Sequence, residues 1–444
     1  PPFAAGTTLN HARYEAFKRE LLEVCQQHGF LDAHYAESRL LVDVEQHRAT
    51  AILKIDGGVR YRFSSVEFSG SALDSALLRR LSPIEPANFY DKAVLTKFQR
   101  NLQDSRYFRE IDVRSDKRDD HTVAIAVKLA DAPRHQFSVG AGFGTDTGPR
   151  AKFRWERPYV NAQGHKLTAD FSVSKPQQSL AFEYHIPLKK PLDESLNFTT
   201  SWEHKLVQDT ASTLGTVGFF FSDRYRQIWV ANYGATYYDE SYQQGSEQRK
   251  RSEYIAPDIN LTQIVLPPGI DPKSGRKLWI DVLGSMPALG ADTNFVRIDT
   301  GYKQIFNTFG EQLFIVRAEV GAIATHDIDL IPSSQRFFTG GDQTVRGYDF
   351  ESLSTEDASG KLIGGRYLNV ASAEYSIKVA ERWRTAVFTD TGRAFNQQDE
   401  SWHKSVGAGV RWLSPVGQIR VDLAFPINDS VKGWRLHIFI GPPL

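Results

Sequence analysis

The chain has a single cysteine, Cys25, and a single methionine, Met286, in 444 residues. One thiol excludes any disulfide within the chain and any thiolate metal cluster built from it alone. No stretch of 18 apolar residues occurs, so no transmembrane helix is available, and this chain can cross a membrane only as a closed barrel of strands. Lys plus Arg and Asp plus Glu each number 53 and are interspersed, which removes the case for nucleic-acid binding or a charged tail. The histidines form no H-E-x-x-H pair and there is no G-x-S-x-G elbow, so zinc and serine hydrolases lack their signatures. The strings Gly140-x-Gly142-x-Gly144 and Gly407-x-Gly409 miss the G-x-G-x-x-G spacing and open no helix, so no phosphate-binding loop is expected. The expectation is a protein that is not an enzyme, with no catalytic residues, no metal and no cofactor.

What is present is aromatic residue in quantity, 28 Phe, 17 Tyr and 8 Trp, under a negative mean hydropathy of −0.39. A barrel in an outer membrane gives that combination because only every second strand residue meets lipid. A large soluble all-β binding protein would look similar. The opening Pro1-Pro2-Phe3, without a methionine, leads us to expect that the true start and any signal peptide lie upstream.

Residues 10–30 read as an amphipathic helix with Tyr14, Phe17, Leu21, Leu22, Val24 and Cys25 on one stripe. Two strands follow, 40–44 and 51–55. A second pass then runs strand 63–68, helix 73–81, helix 91–105, strand 110–114 and strand 122–129, which is β-α-α-β-β. The first unit matches the last three elements of the second, so a weak repeat is expected with the first copy lacking its opening strand and helix. A single α+β domain of about 130 residues is the alternative.

From His135 onward the helical period gives way to segments of about ten residues with period-two alternation. Phe137, Val139, Ala141 and Phe143 share one face, and Gln136, Ser138, Gly140 and Gly142 the other. About sixteen such segments reach the end of the chain, the even number expected of a bacterial outer-membrane barrel. Short turns after even strands (222–225, 380–381, 414–417) and long loops after odd ones (239–251, 324–364, 393–401) put the N-terminal domains in the periplasm. The Pro-rich turn 266–276 is too long for its rim.

Loop 324–364 far exceeds an ordinary connection and is a functional candidate on that ground. At its tip Arg346 is followed by Gly347 and Tyr348. Alternation turns Glu374 inward on one strand and Asp390 inward on the next, so the two carboxylates can receive the guanidinium in charge-assisted bonds worth about 1.5–3 kcal/mol each. An exposed loop arginine is the alternative.

These stretches, FTGGDQTVRGY (338–348), VFTDTG (387–392), WLSPVG (412–417), IFIGPPL (438–444) and RPYVNAQG (157–164), resemble the Omp85 superfamily and, within it, the branch of translocation and assembly module subunits typified by TamA. YDKAVLTKFQRNLQDSRYF (90–108) is similar to the second helix of a POTRA domain. The resemblance implies residues 1–58 as the latter portion of a POTRA domain, 59–132 as a complete one, and 133–444 as a sixteen-stranded antiparallel transmembrane barrel with an inward-folded loop. It implies an outer-membrane assembly factor that promotes insertion or secretion of autotransporter-type proteins, or alternatively a two-partner-secretion transporter. A barrel fused upstream to a lipolytic domain is a further alternative. The implied partners are an inner-membrane-anchored TamB-like protein, nascent β-barrel substrates and outer-membrane lipid, with no nucleic acid. The working surface would be the seam between the first strand, Gln136, Phe137, Ser138, Val139, Gly140 and Gly142, and the last, Arg435, Leu436, His437, Ile438, Phe439 and Ile440. An opened seam offers unpaired backbone groups to an incoming strand.

Overall fold

The computed structural model describes residues 6–267, 269, 271–414, 417–427 and 433–440. Pro1-Pro2-Phe3, two residues of turn 266–276, Pro415-Val416 and the terminal Gly441-Pro442-Pro443-Leu444 lie outside the described residues. The chain divides into two compact units, one of residues 1–134 with 158–164 and 189–192, the other of 135–157, 165–188 and 193–444.

In the first unit, Asn10 caps helix α1 (His11–Gln27) by accepting from the Arg13 amide. Gly29, with φ of 95°, turns the chain out of it, a conformation that costs glycine little. Strands β1 (His34–Asp43) and β2 (Arg48–Asp56) form a two-stranded hairpin. The second pass gives β3 (Arg62–Ser69), α2 (Ser75–Leu81), α3 (Lys92–Asp104), β4 (Phe108–Lys117) and β5 (Thr122–Asp131), with β5 central, parallel to β3 and antiparallel to β4. Asp91 caps α3 through the Ala93 amide at 2.7 Å. Phe98 and Leu102, four apart and therefore on one helical face, are fully buried against Leu77, Leu81, Ile125 and Val127. Alternation along β5 supplies the other half of this core. Hydrogen bonds from Lys117 and from the Tyr61 hydroxyl hold the exposed Asp32 carboxyl below its ordinary pKa.

The second unit is one sheet of sixteen strands, β6 to β21, each antiparallel to its neighbour and in strict chain order from β6 (Gln136–Gly144) to β21 (Arg435–Ile440). Its outer face carries the apolar half of the alternation. Phe137, Val139, Phe153, Phe171, Phe198 and Trp202 are all exposed, as a lipid-facing wall requires. Strand length departs from the expected ten residues. β9 (Gln177–Pro187) has 11 residues and β10 (Glu194–Val207) 14, but β11 (Thr210–Tyr225), β12 (Trp229–Gln244) and β13 (Lys250–Val265) have 16 each. The expected loop 239–251 shrinks to 245–249, because Asp239 pairs with Glu253 and Ser241 with Arg251. Past the lipid-facing band both faces are polar, so alternation stops while the ladder continues.

The inner wall of this long-stranded half is laced together by side chains. His185 Nδ1 lies 2.8 Å from Asn197 Oδ1; the Asn197 amide donates to Ser222 (2.6 Å) and the Ser222 hydroxyl to Asn232 (2.5 Å). The Asn232 amide donates to Asn260 (3.0 Å), and the Asn260 amide to Asp281 of β14 (Gly275–Ser285). The row crosses every strand from β9 to β14 at one level.

Candidate functional site

The long loop leaves β16 (Gln312–Thr325) and rejoins the wall at β17 (Tyr367–Ala380). It is a packed element rather than an exposed excursion. Backbone pairings Phe337 with Gly365, Thr339 with Leu353 and Glu356 with Leu362 fold it on itself. Ile331, Phe337, Val345, Tyr348 and Leu353 are buried in one cluster with the wall residues Tyr254, Phe295, Ile323 and Val370. The Ser333 and Ser334 hydroxyls donate to the buried carboxylate of Glu240 at 2.6 and 2.5 Å.

This packing carries Arg346 into the lumen, where the residue is 5% exposed. Its Nε and Nη2 donate to the two oxygens of Asp390, on β18 (Trp383–Phe395), at 2.7 and 2.9 Å. The Arg346 amide donates to Asp390 at 3.1 Å. Nη1 donates to Glu374 at 2.8 Å and to Asp422 at 3.1 Å. The guanidinium carbon lies 3.4 Å from the centroid of the Phe388 ring. Arg411, on β19 (His403–Ser414), completes the group with Nη2 at 2.9 Å from Glu374 and Nη1 bonded to Asp422 of β20 (Gly417–Ile427). Two cations therefore face three carboxylates in a buried cluster. Buried charge persists only with such pairing and hydrogen bonding.

The neighbouring residues make the fit possible. Gly347 has φ of 98°, and a Cβ there would stand 3.3 Å from Pro426. A Cβ on Gly407 would be 2.2 Å from the Phe388 ring and one on Gly409 1.9 Å from Asp422. These inward glycines hollow the wall for the cluster. Tyr348 donates to the carbonyl of Lys404 at 3.2 Å.

The structure thus brings Arg346 together with Glu374 and Asp390. Asp422 and Arg411 are further members that sequence reasoning did not select. The alternation that turned Glu374 and Asp390 inward also places Asp422 beside Arg420 on the polar face of its strand; what was missing is the depth to which the loop tip descends.

A second arginine explains the overlong turn 266–276. Arg384 on β18 is 1% exposed, and its Nε and Nη2 bind Asp271 at 3.0 and 2.8 Å while Nη1 donates to the Glu311 carbonyl at 2.7 Å. The turn is long enough to deliver Asp271 to that fork. Arg384→Ala is expected to speed tryptic cleavage after Lys273 several-fold while the barrel keeps its compact electrophoretic mobility, since a bidentate pair worth about 1.5–3 kcal/mol is lost locally. An unchanged cleavage rate would show that the fork does not hold the turn.

The seam is where the ladder stops. Every other neighbouring pair of barrel strands is joined by a backbone ladder, but none joins β6 to β21 among the described residues. Just beyond β6, the Thr145 amide donates to the Ile438 carbonyl at 3.4 Å, and the Ile438 amide lies 3.3 Å from the Thr145 hydroxyl. Arg150 of β7 (Gly148–Arg157) donates to the Ile440 carbonyl at 2.7 Å. The described contact between the first and last strands therefore lies at the end of β6, and whatever stands opposite Val139 lies outside the described residues. Strands of a barrel are staggered, and the stagger sets Thr145 beside Ile438. Gln136, Phe137, Ser138, Val139, Gly140 and Gly142 have β7 on one side and no ladder partner on the other among the described residues. Leu436, on the last strand, is exposed.

Residues 160–441 match the Omp85 superfamily domain. The chain belongs to the Omp85 superfamily. Residues 61–130 match the POTRA family, described as a surface antigen variable number repeat. The protein accordingly resides in the outer membrane with its POTRA domain in the periplasm. The outer membrane protein assembly factor BamA of Nitratidesulfovibrio vulgaris is 27% identical over 154 residues, covering 33% of this chain and 19% of that protein. BamA of Neorickettsia risticii is 20% identical over 427 residues, covering 85% and 55%. This Omp85 chain therefore spans about a fifth and about half the length of those two relatives. In fold it is similar to the crystal structure of BamA from Haemophilus ducreyi lacking POTRA domains 1–3, with a TM-score of 0.84 at 15% identity over 99% of this chain and 95% of that one. CdiB from Acinetobacter baumannii gives 0.56 at 14% identity, over 95% and 79%. These relatives carry the names BamA and CdiB, and the kinship they show is that of the superfamily.

Proposed function

We propose that this Omp85 protein is an outer-membrane assembly factor that receives the strands of β-barrel substrates at the β6–β21 seam. The observation that carries the reading is the interrupted ladder. Among the described residues β6 has a backbone ladder to β7 alone, and unpaired edges pair readily with incoming strands. No catalytic group is required, because exchange of backbone hydrogen bonds is the whole of the chemistry. The motifs FTGGDQTVRGY and VFTDTG support the narrower TamA-like reading, in which autotransporter-type proteins are the substrates and an inner-membrane-anchored TamB-like protein engages the POTRA side. A two-partner-secretion transporter would instead pass polypeptide through the lumen. That route would have to break the buried Arg346 cluster and unpack the loop, which counts against it.

Photocrosslinking in cells tests the reading. A photoreactive residue at Phe137, Val139 or Phe143 is expected to capture nascent outer-membrane barrel chains, whereas one at Phe198, on a continuously paired stretch of the wall, captures none. Equal capture at Phe198, or capture confined to a lumen position such as Lys303, would refute it. Co-purification of an inner-membrane-anchored protein, lost on removal of the POTRA domain, tests the partner.

A further inference from the structure

β21 turns three side chains inward, and each reaches past its ladder partner β20. Arg435 pairs with Asp349 of the long loop. His437, 2% exposed, accepts from the Gly347 amide at Nε2, 2.8 Å away. Its ring hydrogen therefore lies on Nδ1, which approaches Asp146 Oδ1 to 3.4 Å without a hydrogen bond between them. The Asp146 side chain is fully buried, and its other oxygen accepts from the Asp342 amide. Phe439 lies under two guanidinium groups, Arg420 at 4.4 Å and Arg150 at 4.9 Å.

Asp146 sits in the turn between β6 and β7, and Arg150 on β7. His437 and Phe439 thus reach from one bank of the seam to the other. The loop tip touches both banks at once, Asp342 holding Asp146 on one side while Gly347 and Asp349 hold His437 and Arg435 on the other. Arg346, between these contacts, fixes the tip to β17, β18 and β20.

We propose that the loop tip is the clasp of the seam: buried side-chain and backbone contacts through Asp146, Asp342, Gly347 and His437 hold β21 against the β6–β7 hairpin where, among the described residues, no ladder does, and withdrawal of the tip frees both banks together. The clasp deepens the assembly reading by naming what regulates the seam, and rests on that reading for its purpose alone. Its mechanics differ from those of a ladder. Paired strands unzip residue by residue, whereas these contacts share a single element and are released together. Arg346 is then a positioning residue for the seam.

The test places nitroxide labels at Phe143→Cys and Ile438→Cys in a Cys25→Ser background of the whole chain, reconstituted in lipid nanodiscs, and reads the distance across the seam by pulsed paramagnetic resonance. The parent protein is expected to give one short distance. Asp146→Ala removes the contacts to both His437 and Asp342, and Arg346→Ala releases the tip without altering either bank. Each should lower the ratio of closed to open seam about tenfold or more, the effect of losing one charge-assisted bond in a buried site. An unchanged distance in Asp146→Ala, in protein with native compact mobility, overturns the clasp; Asp146→Asn serves if the alanine variant fails to fold. Opening in Asp146→Ala with none in Arg346→Ala overturns the role of the loop, because the banks would then hold each other directly. Substrate capture is scored separately. Seams that open while capture at Val139 is absent in parent and variant alike leave the clasp standing and defeat the assembly reading.

Discussion

Arg346→Ala is expected to lower barrel stability by about 3–5 kcal/mol, the cost of removing one partner from a buried charged group. The substitution deletes a bidentate pair with Asp390, bonds to Glu374 and Asp422, and a cation–π contact with Phe388. It also leaves Arg411 as the sole remaining cation bonded to Glu374 and Asp422, and Asp390 without an ion-pair partner among the described residues. The stranded charge, more than the lost bonds, makes the effect large. Arg346→Lys keeps the charge but not the planar fork, so it should fall between parent and alanine. The measurement is the temperature at which compact mobility on semi-native gels is lost, together with the rate of proteolysis within 326–366. If Arg346→Ala matches the parent in both, the cluster is not what holds the loop.

Joining Thr145→Cys to Ile438→Cys, with Cys25→Ser so that no other thiol remains, should reduce substrate insertion to background in the oxidised protein and restore it on reduction. The Thr145 amide meets the Ile438 carbonyl at this point, and antiparallel residues facing one another in this way have Cα atoms about 4.5–5.5 Å apart, within the span a disulfide bridges. The chain's single cysteine makes the comparison clean. A bridge here fixes the banks whatever the loop does, so it separates the need for an opening from the means of release. Full insertion by protein shown to be oxidised would end the seam reading.

Much of the architecture could be read from the chain because alternation is a direct imprint of a two-faced wall. The same parity turned Glu374 and Asp390 inward and set the outward row Phe137, Val139 and Phe143. It failed wherever position depends on something other than facing. The extra length of β11 to β13 lies beyond the apolar band, where both faces are polar and period two vanishes. Stagger between the first and last strands moves the meeting point to Thr145, and stagger is a property of the closed sheet as a whole. Asp422 and Arg411 join Arg346 only because Gly407 and Gly409 leave room, a fact of volume rather than of pattern. The inward reach of His437 toward Asp146 spans 291 positions of sequence, and no local signal encodes it.

The row of side chains from His185 to Asp281 has a mechanical consequence. Six adjacent strands tied at one level resist shearing past one another, so this half of the wall behaves as a stiff spine. Toward the seam the ties are of another kind: separate pairs between β7 and β9, Arg154 with Asp170 and Ser172 with Ser179, and between β17 and β20 an ionic cluster that runs through the loop tip at Arg346. When the banks separate, the deformation concentrates in those strands, as a split spring yields at its gap while its back keeps its curvature. The molecule widens by unrolling its flanks, and the spine remains the fixed frame against which they move.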